Sequence, residues 1–216
     1  MPQLPLFEMQ TPGLIYAGVD EAGRGPLAGP VVAAAIVLYP DDPIVGVNDS
    51  KKLTERQRVK LFDEITRRAQ SFAIAEATVH EIDTINILQA SLLAMRRAVM
   101  AVYDQMKTQG QTLGRIHVDG NRCPDLNDPD AGFMECHALI GGDARDAAIA
   151  SASILAKVTR DRLMLDMDKL YPQYEFAKHK GYPTARHRDL LIEFGACPEH
   201  RSSFAPVRAI LSQSNQ

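Results

Sequence analysis

The sequence predicts an α/β fold in which a mixed β-sheet is flanked by helices and followed by a small helical C-terminal extension. Three observations carry this. Short apolar runs closed by Gly and Pro read as strands, and two long segments with apolar positions three and four apart read as helices. The first strands follow one another directly, whereas the fourth follows a long helix, as a crossover to a parallel neighbour requires.

Residues 1–13 contain Pro2, Pro5 and Thr11-Pro12-Gly13 and read as a flexible tail, although Gln3-Leu4-Pro5-Leu6-Phe7 carries three large apolar side chains. The apolar run 14–19 is the first strand; it stops at two adjacent acids, Asp20 and Glu21, followed by Gly23-Arg24-Gly25-Pro26. Residues 31–38 form a continuous apolar run, a strand buried on both faces, which Pro40-Asp41-Asp42-Pro43 ends. After the polar loop Asn48-Asp49-Ser50-Lys51-Lys52-Leu53, Thr54 caps a helix with Val59, Phe62, Ile65 and Ala69 on one face, and 72–75 is a third strand.

From about Ile87, the positions Leu88, Leu92, Met95, Val99, Val102 and Met106 mark a long amphipathic helix that Gly110 ends. Residues 116–118 form a strand ending in Asp119, and 133–140 is a candidate last strand before Gly141-Gly142-Asp143. A second long helix carries Ile149, Ala152, Ala156, Thr159, Leu163, Met167 and Leu170. The division expected is therefore a tail (1–13), a main domain (14–171) and an extension (172–216) that is polar, aromatic and basic, with short helices near 184–194 and 206–212.

Of the 216 residues 45% are hydrophobic and 24% charged, as in an ordinary folded domain, and the net charge of −3 leaves nucleic-acid binding to a local basic patch. Cys123, Cys136 and Cys197 are widely spaced with no C-x-x-C pair, which argues against a disulfide framework and a zinc site. They read as reduced thiols. No leader pattern and no membrane-length apolar stretch is read, so the expectation is a cytoplasmic protein without a membrane.

Asp20-Glu21, Asp119-Gly120 and Gly142-Asp143 each set an acid at or just after a strand end. Carboxyl ends of parallel strands meet at one sheet edge, so these acids can converge. Four hard oxygen donors in one pocket suit Mg2+ or Mn2+, and two such ions stabilise the attacking and leaving oxygens of an in-line phosphoryl displacement. Each acid also has a plainer role open to it: Asp20-Glu21 as a charged turn, Asp119 capping a turn with Asn121, Asp143 as the N-cap of the next helix.

The strings Gly18-Val19-Asp20-Glu21-Ala22-Gly23-Arg24-Gly25-Pro26-Leu27-Ala28-Gly29, Asn48-Asp49-Ser50-Lys51-Lys52-Leu53, Val118-Asp119-Gly120-Asn121, Ala152-Ser153-Ile154-Leu155-Ala156-Lys157-Val158-Thr159-Arg160-Asp161 and His179-Lys180-Gly181-Tyr182-Pro183-Thr184 occur in the order found in bacterial ribonuclease HII, and Ser203-Phe204-Ala205-Pro206-Val207 resembles that family's end. The resemblance spans roughly residues 14–210. It implies a ribonuclease H-like fold and a metal-dependent endonuclease that cuts the RNA strand of RNA–DNA hybrids and single ribonucleotides embedded in duplex DNA, on the 5′ side, leaving 5′-phosphate and 3′-hydroxyl ends. By motif, Asp20, Glu21, Asp119 and Asp143 are the metal-binding carboxylates. Gly23, Arg24 and Gly25 read the ribose 2′-hydroxyl, the group that separates RNA from DNA, and Tyr182 stacks on the sugar beyond the junction. A monomer is the family-like expectation. Two positions depart from the family pattern: Gly141 stands where lysine is typical, and Ser151 where alanine is usual.

Lys51, Lys52, Lys178, His179, Lys180, Arg186, His187 and Arg188 are candidate phosphate contacts along a duplex, with a solvated surface the plainer reading for part of the set. Lys157 and Arg160 read as solvent-facing, His117 as a packed or surface residue, and Asp125, Asn127, Asp128 and Asp130 as a solvated turn. Gln3-Leu4-Pro5-Leu6-Phe7 resembles the peptide by which bacterial replication and repair proteins dock on the sliding clamp.

Overall fold

A computed structural model describes residues 15–47, 53–127 and 134–213. Five strands, β1 (Ile15–Ala22), β2 (Val31–Val37), β3 (Ser71–Ala77), β4 (Leu113–Asp119) and β5 (Glu135–Leu139), form one sheet in the order β3-β2-β1-β4-β5. β1–β2 and β2–β3 are antiparallel; β1–β4 and β4–β5 are parallel. The mixed sheet is as expected, and β4 reaches β1 by the helical crossover that parallel pairing demands. Asp20 and Glu21 lie within β1, paired with Ala34 and Ala33, rather than beyond its end.

Alternation along the strands divides the core. Ala17 and Val19 of β1 join Val31, Ala33, Ala35 and Val37 of β2, and Ile116 and Val118 of β4, on one face under helix α2 (Val79–Thr108). Ala34 and Ile36 face the other way, against α3 (Ala147–Leu170) and Ile65 of α1 (Glu55–Arg68). Val59, expected on the covered face of α1, is 37% exposed.

Helix α2 starts eight residues before the expected Ile87. Thr78 accepts from the Glu81 N–H while the Glu81 carboxylate accepts from the Thr78 N–H, a capping box that starts the helix. At Asn86 the backbone turns to φ 67°, and the Asn86 Oδ1 accepts from the Leu88 and Gln89 N–H groups, capping the helix a second time. The periodic stripe therefore marks only the second segment. By length and hydropathy α2 passes for a membrane span, against expectation, yet Ala90, Ala94, Ala98, Val99 and Val102 are buried against the sheet.

Cys123, just past β4, is joined to Cys136 on β5, correcting the expectation of free thiols. Parallel pairing of β4 with β5 brings together two residues that no sequence motif links. Cys197 remains a thiol. The extension comprises α4 (Phe176–His179), α5 (Ala185–Phe194) and α6 (Ala205–Gln213). It folds back onto the loop after β1: the Ala28 and His200 backbones form a β-bridge, and the Leu27 N–H donates to the Gly181 carbonyl at 2.8 Å.

Candidate active site

The register Val19↔Val118 sets the next residues, Asp20 and Asp119, side by side at the carboxyl edge of β1 and β4. Since Val19 and Val118 face α2, both acids face α3. The Glu21 N–H donates to Asp20 Oδ1 at 2.7 Å, and the Ser153 hydroxyl on α3 also hydrogen-bonds Asp20. The Gly142 N–H donates to Asp119 Oδ1 at 2.7 Å, which ties the turn Gly142–Ala144, and with it the buried Asp143, to the end of β4. Asp143 does not cap α3. That role belongs to Asp146, which accepts from the Ala148 and Ile149 N–H groups and binds His117 Nδ1 at 2.8 Å.

Burial pushes the Asp20 carboxyl well above its ordinary range, and the neighbouring charges of Glu21 and Asp119 push the same way. Burial likewise raises Glu21, although Arg24 opposes it through a 3.2 Å contact. Carboxylates that resist ionisation together are a site that gains from a cation. Hard oxygen donors, crowded and desolvated, fit Mg2+ or Mn2+. Among the described residues, no three His, Cys, Asp or Glu side chains already converge closely enough to enclose an ion.

Beside the acids lies an open groove of about 480 Å³ lined by Glu21, Gly23, Arg24, Gly25, Arg58, Ser153, Lys157 and Tyr182, among others. Its glycine-loop wall is held from beneath by two buried arginines. Arg160, 1% exposed, donates to the carbonyls of Pro30 (3.1 Å), Ala28 (3.1 Å) and Lys180 (3.0 Å). Arg201, 0% exposed, donates to Gly23 (2.6 Å), Arg24 (3.1 Å), Pro26 (2.7 Å), Gly29 (2.7 and 2.9 Å) and Pro30 (3.2 Å). Burial and the adjacent Arg160 guanidinium lower Arg201 to about 9. Gly23 sits at φ +99° with its missing Cβ position only 2.1 Å from Arg160 Nε, so only glycine fits.

Tyr182, 41% exposed, forms the far wall beside Gly25. A cluster of three neutral histidines supports it, two of them in a hydrogen-bond relay, and the partners fix the tautomers. The Cys197 N–H donates to His200 Nδ1 (3.1 Å), so His200 Nε2–H donates to His187 Nε2 (3.1 Å), and His187 Nδ1–H donates to the Tyr182 carbonyl (2.9 Å). His179, stacked on His187 at 4.2 Å, accepts from the Gly181 N–H and donates to the Tyr174 carbonyl. Burial lowers all three, His187 and His200 to about 4.

The structure thus brings Asp20, Glu21 and Asp119 within electrostatic reach of one another, sets Asp143 next to them through Gly142, and gathers Gly23, Arg24, Gly25 and Tyr182 on one groove. It corrects three expectations. His179 and His187 are buried in this cluster and so cannot touch phosphate, and Arg160, expected in solvent, is in the core. Lys178 and Arg186 are exposed but paired with Glu175, while Lys180 Nζ donates to the Ala177 carbonyl. Lys51, Lys52 and the peptide Gln3-Leu4-Pro5-Leu6-Phe7 lie outside the described residues. Gly141, left-handed at φ +66°, has open space at its missing Cβ, and the buried Ser151 hydroxyl is satisfied by the Ala147 carbonyl at 2.7 Å. Sequence reasoning gave no role to Arg201, Arg58 or Ser153. Ser153 lies inside one of the family-like strings, while Arg201 carries no local signal.

Comparison with known proteins gives a consistent picture. The family model "Ribonuclease HII" matches residues 17–207. Ribonuclease HII of Dechloromonas aromatica is 53% identical over 205 residues, covering 95% of this chain and 98% of that one, and Ribonuclease HII 2 of Methylibium petroleiphilum is 56% identical over 200 residues, covering 93% and 86%. Among solved structures, ribonuclease H2 of Pyrococcus horikoshii superposes with a TM-score of 0.75 at 28% identity over 94% of this chain and 100% of that one. Bst-RNase HIII in complex with Mn2+ shares the fold at a TM-score of 0.78 and 19% identity, over 97% and 73%.

Proposed function

The chain belongs to the ribonuclease HII family, and on that premise we propose that its ribonuclease H activity on RNA–DNA hybrids extends to single ribonucleotides embedded in duplex DNA. Cutting falls on the 5′ side of the ribonucleotide and leaves 5′-phosphate and 3′-hydroxyl ends, a step in ribonucleotide removal during replication and repair. The observation that carries the reading is one groove walled by Glu21, the glycine loop and Tyr182, with Asp20 and Asp119 beside it.

In this reading Asp20, Glu21, Asp119 and Asp143 hold Mg2+ or Mn2+. Held there, Mg2+ or Mn2+ would supply charge neutralisation at the scissile phosphate and acidify the attacking water. The Gly23-Arg24-Gly25 backbone meets the ribose 2′-hydroxyl without regard to base, which makes cutting independent of sequence. Tyr182, held by its own carbonyl through His187, offers an exposed ring to the next sugar. Ser153 and the Glu21 N–H orient Asp20, and Arg58, Lys157 and Lys180, with Lys51 and Lys52, supply positive charge for phosphates. Residues 14–171 carry the chemistry and 172–216 the substrate-binding extension.

Asp20→Asn, assayed with Mg2+ or Mn2+ on duplex DNA carrying one ribonucleotide, tests the assignment: cutting at the wild-type rate refutes it. Cleavage by the wild type of a long RNA tract but not of a single ribonucleotide would instead make it an ordinary ribonuclease H. For the tail, Gln3-Leu4-Pro5-Leu6-Phe7 is the segment proposed to dock on a sliding clamp; the RNase HII of Archaeoglobus fulgidus has been solved in complex with PCNA. Deleting residues 1–8 should abolish clamp binding and spare nuclease activity. A monomer working in the cytoplasm completes the proposal.

A further inference from the structure

We infer that Arg201, with Arg160, is a positioning residue that aims the backbone amides of the sugar-reading loop. This rests on the assignment of Gly23-Arg24-Gly25 as that loop. A trans peptide unit is planar, with its C=O and N–H pointing in opposite directions. Arg201 Nη2 binds the Gly23 carbonyl at 2.6 Å, so the Arg24 N–H of the same peptide unit points away from Arg201. Arg201 Nη1 binds the Arg24 carbonyl at 3.1 Å, which turns the Gly25 N–H away in the same manner. Because Arg201 is fully buried and Gly23, Arg24 and Gly25 line the groove, away from Arg201 is toward the substrate side.

Arg160 adds the second half. Its guanidinium joins the Ala28 and Pro30 carbonyls to the Lys180 carbonyl, two residues before Tyr182. The loop and the tyrosine segment are thereby fixed to one rigid group, which sets the gap between the two elements that read adjacent sugars. A planar fork with five donors can span this many carbonyls; an ammonium cannot. Arg201 is set in turn by its neighbours. The Asp83 carboxylate on α2 accepts from the N–H and hydroxyl of both Ser202 and Ser203, at 2.6 to 2.9 Å.

The test compares the full-length wild type with Arg201→Lys and Asp83→Ala by steady-state kinetics in Mg2+. The two substrates are a duplex DNA with one ribonucleotide and the same duplex with a 2′-fluoro nucleotide at that position. Wild type that fails to prefer the ribonucleotide refutes the loop assignment itself. Given that preference, Arg201→Lys is expected to lower kcat on the ribonucleotide by about 10- to 100-fold with KM within about twofold, and to shrink the preference over 2′-fluoro in proportion. Partial unfolding lowers both rates equally and leaves the preference intact, so a folded Arg201→Lys that keeps the wild-type preference overturns the inference. Should Arg201→Lys not fold, Asp83→Ala decides. It shifts the Arg201 anchor without removing a core side chain, and an unchanged preference in that variant also overturns the inference.

Discussion

Acidifying the protein from about pH 7 to about pH 5 should loosen the C-terminal extension, because the relay under Tyr182 tolerates no added proton. Each of the three buried histidines uses one ring nitrogen as an acceptor. Burial holds His187 and His200 at about 4, against an ordinary 6.5. The sign follows from proton counts: between these values the unfolded imidazole binds a proton that the folded one does not, so stability is present above about pH 6.5 and is lost as pH falls toward 4. At 1.36 kcal/mol per pH unit the full difference is roughly 3 kcal/mol for one such histidine, of which about 2 kcal/mol falls between pH 7 and pH 5. Asp20 and Glu21 are raised and contribute with the opposite sign, so the measurement belongs in Asp20→Asn/Glu21→Gln. Urea denaturation of that variant, followed by far-UV circular dichroism, should show a lower midpoint at pH 5 with the slope retained. Equal midpoints at the two pH values would refute a neutral relay.

Asp119→Asn should trade activity for stability. Removing one charge relieves Asp20 and Glu21 and should add about 1 kcal/mol to unfolding, while Mg2+-dependent cleavage falls by about a thousandfold or more, about 4 kcal/mol of transition-state stabilisation. Tyr182→Ala should cost about 1–3 kcal/mol in kcat/KM on a single-ribonucleotide duplex, the worth of one stacked ring, with the melting temperature nearly unchanged because the side chain is half in solvent. Thiol titration in denaturant without reductant should count one reactive cysteine, Cys197, instead of the three in the sequence. Cys123→Ser should lower stability by about 3 kcal/mol, the closure entropy of a loop of this size.

The convergence of Asp20, Glu21 and Asp119 on one sheet edge was legible because acids closing an apolar run are conspicuous, and the two helices because their stripes repeat. Arg160 was misread for a reason the pattern itself contains. It falls four residues after Ala156 and four before Met164, on the buried stripe of α3, and a guanidinium there can be satisfied only by carbonyls arriving from residues 28, 30 and 180. Arg201 sits in no periodic segment, so its partners exist only in three dimensions. His179 and His187 looked basic because lysines and arginines surround them, yet both rings pack against Phe176, the first residue of an unexpected short helix. The first part of α2 could have been found, since Thr78 and Glu81 have capping-box spacing. The Cys123–Cys136 bond could not, because it depends on which strand lies beside β4.

The Gly23 carbonyl and the Arg201 side chain that binds it are 178 residues apart in the chain. During synthesis, at roughly 5–20 residues per second, β1 leaves the ribosome many seconds before Arg201 exists. Asp20, Glu21, Asp119 and Asp143 are all made before Arg160, and Arg160 before Arg201. The four acids are therefore complete in the chain before either guanidinium that anchors the loop beside them. If the loop reads the sugar as proposed, the determinant of selectivity is among the last residues the ribosome adds, and a product truncated before residue 201 would carry all four acids without the side chain that aims the loop.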